Sequence, residues 1–231
     1  MSLYSVKSWA VRNVPGFGDL QSFLYRFKPY SSKFRTYYVR KSWGSGIESA
    51  SGHGSSLAVT EALRHALPGL WQEYGIRSIL DIPCGDFHWM KEVSRNGIHY
   101  IGGDIVPELI ADNQRRYSAP DVEFRQIDML KGTLPKVDLI FCRDCFLHYP
   151  YRYIHSAIEH FVASDSRYVL LSTYPDLMKN EDLVTPGLAR SVNLSIAPFN
   201  FPPPLATIDE RSEGKVMALW EVRDLAMKLD K

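Results

Sequence analysis

Three cysteines, no apolar run near the ~18 residues of a membrane span, no internal repeat and no low-complexity tract characterise this 231-residue sequence. The odd cysteine set, Cys84, Cys142 and Cys145, argues against a disulfide-stapled secreted domain, and no secretory leader is visible. A cytoplasmic, reducing location is the expectation that follows. Cys142-Arg-Asp-Cys145 is formally a C-x-x-C, but it lacks a second pair for zinc and opens no helix after a first strand. Reduced structural thiols fit it better. Gly-x-Gly-x-x-Gly is also missing, and with it the glycine-lined helix start that cradles a pyrophosphate.

What is present is an ordinary globular composition, 45% hydrophobic and 23% charged, at a length that supports one good core. The net charge of +1 hides an asymmetry. Residues 1–41 carry eight Lys or Arg against Asp19 alone, a net of +7 that leaves −6 on the remainder. Aromatics run through the same segment from Trp9 to Tyr38. Such a leader suits peripheral contact with a membrane surface, nucleic acid or an anionic substrate. The plainer reading packs the aromatics on the main domain and leaves the cations in water. Residues 1–55, including a Gly/Ser-rich loop up to Ser56, are therefore set apart as a lid or substrate cap. The main domain is expected over 56–231, with an irregular, proline-rich insertion at 175–204.

Within that domain the most telling segment is Ser78-Ile-Leu-Asp-Ile-Pro-Cys-Gly-Asp-Phe-His-Trp-Met90, followed by Tyr100-Ile-Gly-Gly-Asp104. Two short apolar runs each end in an acid, and Asp104 lies nineteen residues after Gly85. A ribose-binding acid is expected roughly 20 residues past the glycine turn of a β-α-β unit. Strands are expected at 79–82, 100–105, 122–127, 137–142 and 168–173. Helices are expected from Ser56 to Gly75, over 87–96, from Pro107 to Tyr117, and around Ile154, Ala157, Ile158 and Phe161. Pro68 should kink or break the first of these. Alternation of this kind builds a parallel sheet covered by helices on both faces. Leu205–Ile208 and Val216–Val222, joined by the polar turn Asp209–Gly214, should close it as an antiparallel hairpin.

These residues resemble the class I S-adenosylmethionine-dependent methyltransferases, over roughly 56–222. More narrowly, the chain is similar to a bacterial subgroup with an Asp-x-Pro-Cys-Gly-Asp-x-x-Trp first motif and Cys-Arg-Asp after strand four. The resemblance implies an α/β, Rossmann-like sheet of seven strands, mostly parallel, whose final strand is antiparallel. It implies S-adenosylmethionine as cofactor, with S-adenosylhomocysteine as product and no metal. It maps the first motif onto Asp81, Pro83, Cys84, Gly85 and Asp86, the ribose acid onto Asp104 beside Ile105, and the adenine contacts onto Asp128 and Met129. Gly85 is the only glycine of its turn, and Asp86 replaces another beside the methionine end of the cofactor, which it could itself contact.

Each assignment has a plainer counterpart. Asp104 either holds the ribose or caps the Pro107 helix. Trp89 is a wall of the cofactor pocket or a core residue. Arg143 holds the cofactor carboxylate, an anionic substrate or a structural ion pair. After strand four, His148 and Asp144 are the candidates for a general base, and His148 could equally pack or cap. Tyr149, Tyr151, Tyr174, Asn193, Phe199 and Asn200 form a group of substrate-pocket candidates, half of them from the insertion. The expected reaction is O-methylation of a small hydroxylated metabolite or sugar. A nicotinamide-dependent oxidoreductase and a non-catalytic cofactor-binding module are the rivals. Nucleic acid is a less favoured substrate, because the positive charge sits in the leader and no Asn-Pro-Pro-Tyr type of motif follows strand four.

Overall fold

Alternating apolar residues divide the chain's strands between two cores. In a computed structural model, which describes residues 29–40, 48–183, 188–212 and 214–229, seven strands form one sheet in the order β3-β2-β1-β4-β5-β7-β6. They are β1 (Ser78–Asp81), β2 (His99–Asp104), β3 (Val122–Gln126), β4 (Leu139–Cys142), β5 (Tyr168–Thr173), β6 (Ala206–Ser212) and β7 (Lys215–Glu221). The first five pair in parallel, and β7 runs antiparallel to both β5 and β6. This is the Rossmann-like, mostly parallel sheet with an antiparallel terminal strand that the sequence leads one to expect.

The helices are α1 (Tyr30–Val39), α2 (Glu61–Glu73), α3 (Pro107–Tyr117), α4 (Tyr151–Ala163) and α5 (Val222–Leu229). Successive strand residues point to opposite faces. Thus Ile79, Phe141 and Leu219 join α2 and α3 in one core, while Leu80, Ile140 and Trp220 join α4 and α5 in the other. Helix α3 starts with Pro107 in its first turn, where the missing N–H costs nothing. Helix α2 continues through Pro68 to Glu73 rather than breaking there. Leu63 and Leu67 before the proline and Leu70 and Trp71 after it are all buried, and that packing offsets the lost backbone bond.

Two expectations need correction. The helix over 87–96 is only a short 3-10 turn at Met90–Glu92, because Phe87 adopts a left-handed φ of 57° that no helix accepts. The polar turn at 209–214 is largely strand: β6 runs to Ser212 with a register shift between Asp209 and Ser212. Residues 1–28, with most of the basic, aromatic leader, and residues 41–47 of the Gly/Ser loop lie outside the described residues. Of the leader's aromatics, Tyr30 packs at a tilt against Tyr153 at 5.4 Å and Phe34 meets Tyr149 at 5.8 Å between ring centres. So α1 packs on the main domain. All three cysteines are free and buried, and no helix among the described residues is long and apolar enough to cross a membrane.

Candidate active site

Strand order reverses between β1 and β4, and a cleft opens at the carboxyl ends of β1, β2 and β4. Open α/β sheets bind their ligands at such switch points. The loop after β1 forms its floor. Gly85 has a φ of 55°, and a Cβ there would lie 2.3 Å from the Ser51 hydroxyl. Only glycine fits this turn. Beneath it, Gly102 of β2 leaves room for the Phe124 ring, which a Cβ would approach to 2.5 Å.

Asp104 ends β2 with its carboxyl buried. It accepts the Gly85 N–H at 3.3 Å and the Val106 N–H at 3.0 Å, thereby joining the floor loop to the start of α3. It also lines the cleft. The helix-capping and ligand-binding readings are therefore compatible, since a carboxylate offers about four acceptor positions and these bonds use two. Burial pushes its pKa up to about 6 against the Val106 and Gly85 bonds that favour the charge. Asp81 lines the same space and accepts the Tyr100 hydroxyl at 2.6 Å. Burial pushes it up to about 7 despite that bond, with Asp104 adding to the rise.

Both acids thus ionise at a cost to the ligand-free fold. Each binds its proton more tightly folded than unfolded, so its contribution to stability is full at low pH and is lost as pH rises through its folded value. His148, whose value is lowered, pulls in the opposite direction below its ordinary 6.5. Comparison with Asp81→Asn isolates the Asp81 share. Each tenfold difference in proton affinity between the folded and unfolded chain is worth about 1.4 kcal/mol. The variant should therefore exceed the parent in urea-unfolding free energy by a few kcal/mol at pH 8 and match it near pH 4. A difference that stays constant across this range would remove the buried-charge explanation.

Asp86 lines the cleft and also holds a neighbouring turn. Its carboxylate accepts the Ser49 hydroxyl at 3.0 Å, the Ala50 N–H at 2.7 Å and the Ser51 hydroxyl at 3.2 Å, while its own N–H donates back to Ser51 Oγ at 3.1 Å. It ties the 49–51 turn across the mouth of the cleft. The sequence offers one hint of this: a glycine- and hydroxyl-rich loop supplies the compact donors that a carboxylate clamps.

Pro83, Cys84, Trp89, Ile105 and Met129 also line the cleft, whereas Asp128 does not. The Asp128 carboxyl accepts the Leu130 N–H at 3.0 Å and stabilises its own turn. Trp89 is both wall and core: it is buried, 5.8 Å from Phe141 between ring centres and 5.5 Å from the Arg143 guanidinium.

Arg143 is committed to the protein. Nε and Nη2 donate to Glu210 at 3.0 and 2.6 Å, and Nη1 lies 3.1 Å from Asp144. Lys215 completes the cluster, 2.8 Å from each Asp144 oxygen and 3.3 Å from Glu210. Burial alone would lower the Arg143 pKa, but Asp144 and Glu210 more than offset it. Burial likewise opposes the Asp144 charge, yet Arg143 and Lys215 hold its pKa below the ordinary value. That makes Asp144 a poor proton acceptor, and the expectation that it acts as a base is corrected to a structural ion pair. Sequence reasoning misses Glu210 and Lys215. Reading β6 through the supposed turn would have placed Glu210 two residues after Ile208, on the same buried face.

His148 lines the cleft and points Nδ1 at the Leu188 carbonyl, 3.1 Å away. A carbonyl only accepts, so Nδ1 carries the proton and Nε2 is the basic nitrogen. Burial lowers its pKa more than the Leu188 bond and Asp144 raise it, which keeps the ring neutral near pH 7. Tyr149 lines the cleft beside it, as do Phe34 and Tyr38 of α1.

The remaining substrate candidates do not line the cleft, although Tyr174 lies near enough to Arg143 to help raise its pKa. Asn193 donates to the carbonyls of Pro175 and Leu177 and accepts the Ser195 N–H, so its amide organises the insertion. Phe199 packs against Tyr151 and His155. Tyr174 and Asn200 make backbone bonds to Val192 and Ile196 and line no part of the cleft. The insertion buttresses the wall from behind.

Residues 79–164 match the methyltransferase domain family. No curated protein matches the sequence. Among solved structures, the magnesium protoporphyrin IX methyltransferase of Synechocystis PCC 6803 with bound SAM is similar over 84% of this chain and 96% of its own, at 15% identity and a TM-score of 0.55. A complex of DhpI with SAH is similar over 82% and 93%, at 16% identity and a TM-score of 0.54. Human N-acetylserotonin methyltransferase in complex with SAM is similar over 82% of this chain and 65% of its own, at 13% identity and a TM-score of 0.51. At these identities the structural likeness is one of fold. The matched stretch, 79–164, carries β1 to β4 of that shared fold.

Proposed function

We propose that this chain is an S-adenosylmethionine-dependent methyltransferase that methylates a hydroxyl of a small molecule. The observation that carries the proposal is the cleft at the sheet's switch point, lined by Asp81, Gly85, Asp104 and Met129 within the matched methyltransferase domain. The residues fit the donor chemically. Asp104 offers a carboxylate to the ribose diol, Ile105, Ile127 and Met129 give an apolar wall for the adenine, and Asp81 faces the same space as a counter-charge for a cation. Three acids there, Asp81, Asp86 and Asp104, have no Lys or Arg within ion-pair distance among the described residues. A cationic sulfonium suits that field, and a nicotinamide pyrophosphate does not. The proline-cysteine-glycine motif supports membership of the bacterial subgroup named above.

When bound, the donor supplies an activated methyl group, and the protein's task is alignment and removal of one proton. Positioning alone supplies effective molarities of roughly 10⁵–10⁸ M. Phe34, Tyr38 and Tyr149 exclude water and hold the acceptor, while Nε2 of His148 takes the hydroxyl proton. His148→Gln should keep donor affinity and lose transfer by about 10²-fold, the lower end of general-base contributions. Transfer of labelled methyl from S-adenosylmethionine into a fractionated polar metabolite extract measures it. Equal transfer by parent and variant would leave His148 without a chemical role.

A further inference from the structure

The turn carrying His148 is tied down from behind by one side chain outside the cleft lining. Arg190 follows β5 in the irregular insertion. Its Nη1 donates to the Phe146 carbonyl at 2.6 Å, Nη2 to the Tyr149 carbonyl at 2.7 Å and Nε to the Glu181 carbonyl at 2.9 Å. Its own N–H donates to the Leu147 carbonyl at 3.1 Å. The guanidinium lies 5.4 Å from the centre of the Tyr151 ring, at the start of α4. Carbonyls on both sides of His148 therefore accept from one residue. Two residues earlier, the Leu188 carbonyl accepts from the imidazole itself.

A lysine could not reproduce this arrangement, because its point charge lacks the planar fork that meets two carbonyls at once. The Phe146–His148 segment is a single 3-10 turn between β4 and α4, with two backbone bonds of its own and the buried rings of Phe146 and Tyr149 as anchors. Arg190 adds the bonds that reach this turn's carbonyls from the insertion.

We propose that Arg190 is a positioning residue for His148, holding the 146–149 turn and the Leu188 carbonyl in register so that Nδ1 stays protonated and Nε2 remains the basic nitrogen. The proposal rests on reading His148 as the base of a methyl-transfer site, and it names what makes that base competent. Charge follows the same geometry. Among the described residues, Asp144 favours the imidazole's proton and Arg190 disfavours it, while Arg143 and Lys215 are paired with Asp144. Loss of Arg190 therefore frees the tautomer and raises the affinity of His148 for a proton together.

Long-range ¹H–¹⁵N correlation spectra of the full chain labelled at histidine, recorded from pH 5 to 9, read both properties without an acceptor substrate. The parent should show His148 as the Nδ1–H tautomer with a midpoint below 6.5. Arg190→Lys, which retains the cation, should show a tautomer mixture with the midpoint still low. Arg190→Ala should show the mixture and a midpoint moved upward. A parent already in the Nε2–H form overturns the proposal, as do two folded variants with the parent's tautomer and midpoint. Isothermal titration with S-adenosylmethionine runs alongside and should give one affinity for all three proteins. If the parent binds none, the methyltransferase reading fails while the spectra still decide the link between Arg190 and His148.

Discussion

Asp104→Asn is expected to weaken binding of both S-adenosylmethionine and S-adenosylhomocysteine by about 10²-fold or more, with the fold retained. Hydrogen bonds to a charged acceptor are worth about 1.5–3 kcal/mol each, and every 1.4 kcal/mol is a factor of ten in affinity. A ribose diol has two such bonds to give one carboxylate. The amide replaces one acceptor oxygen by a donor, and Gly85 and Val106 already aim N–H groups at the two carboxyl oxygens. Whichever way the amide turns, one donor loses its partner. The substitution also removes a buried charge whose pKa burial has pushed up to about 6, so ligand-free stability near pH 8 should hold or rise. Isothermal titration with both ligands, beside thermal unfolding of each protein, measures this. Donor and product share the adenosine half, so both affinities must fall together. A variant that binds either ligand as the parent does would show that Asp104 serves the floor loop alone.

Glu210→Ala is expected to destabilise the chain by about 3–5 kcal/mol, the range for removing one partner of a buried ion pair. Glu210 is fully buried, and the Arg143 guanidinium beside it is 4% exposed. Truncation leaves Arg143 with Asp144 alone, which Lys215 already engages through both oxygens. Two buried cations would then share one anion. Replacing the pair together, as Arg143→Met with Glu210→Leu, should recover most of the loss, because well-packed apolar groups often match a buried pair in stability. Urea unfolding of Arg143→Met, Glu210→Leu and the double closes the cycle, with Glu210→Ala measured beside them. A Glu210→Ala variant within about 1 kcal/mol of the parent would mean that water enters and solvates Arg143, so the cluster would not be a sealed one.

Much of the site is legible before any coordinates. Gly85 and Asp104 announce themselves by spacing alone, because the floor loop after β1 and the acid that ends β2 belong to one short stretch of chain. Pro107 opens its helix for a local reason too. The insertion misleads for the opposite reason. Its aromatics and amides look like a substrate wall, yet Asn193 and Phe199 are consumed within the insertion and against α4. The residue of that stretch that reaches toward the site, Arg190, looks in the sequence like any surface cation.

Sequence by itself determined whatever depends on neighbours along the chain: the strand–helix rhythm, the terminal hairpin, the turn glycine and the acid that ends β2. Periodicity and backbone sterics act over a few residues, and so they can be read there. Tertiary structure alone decided how charges and donors from distant segments are partnered. Glu210 meets Arg143 across 67 positions, Asp86 meets the 49–51 turn across 35 to 37, and Arg190 meets the His148 turn across 41 to 44. A carboxylate or guanidinium has no preference for partners close in the chain. Its role is set by which groups folding buries beside it, because a buried charge must find a partner wherever the topology supplies one.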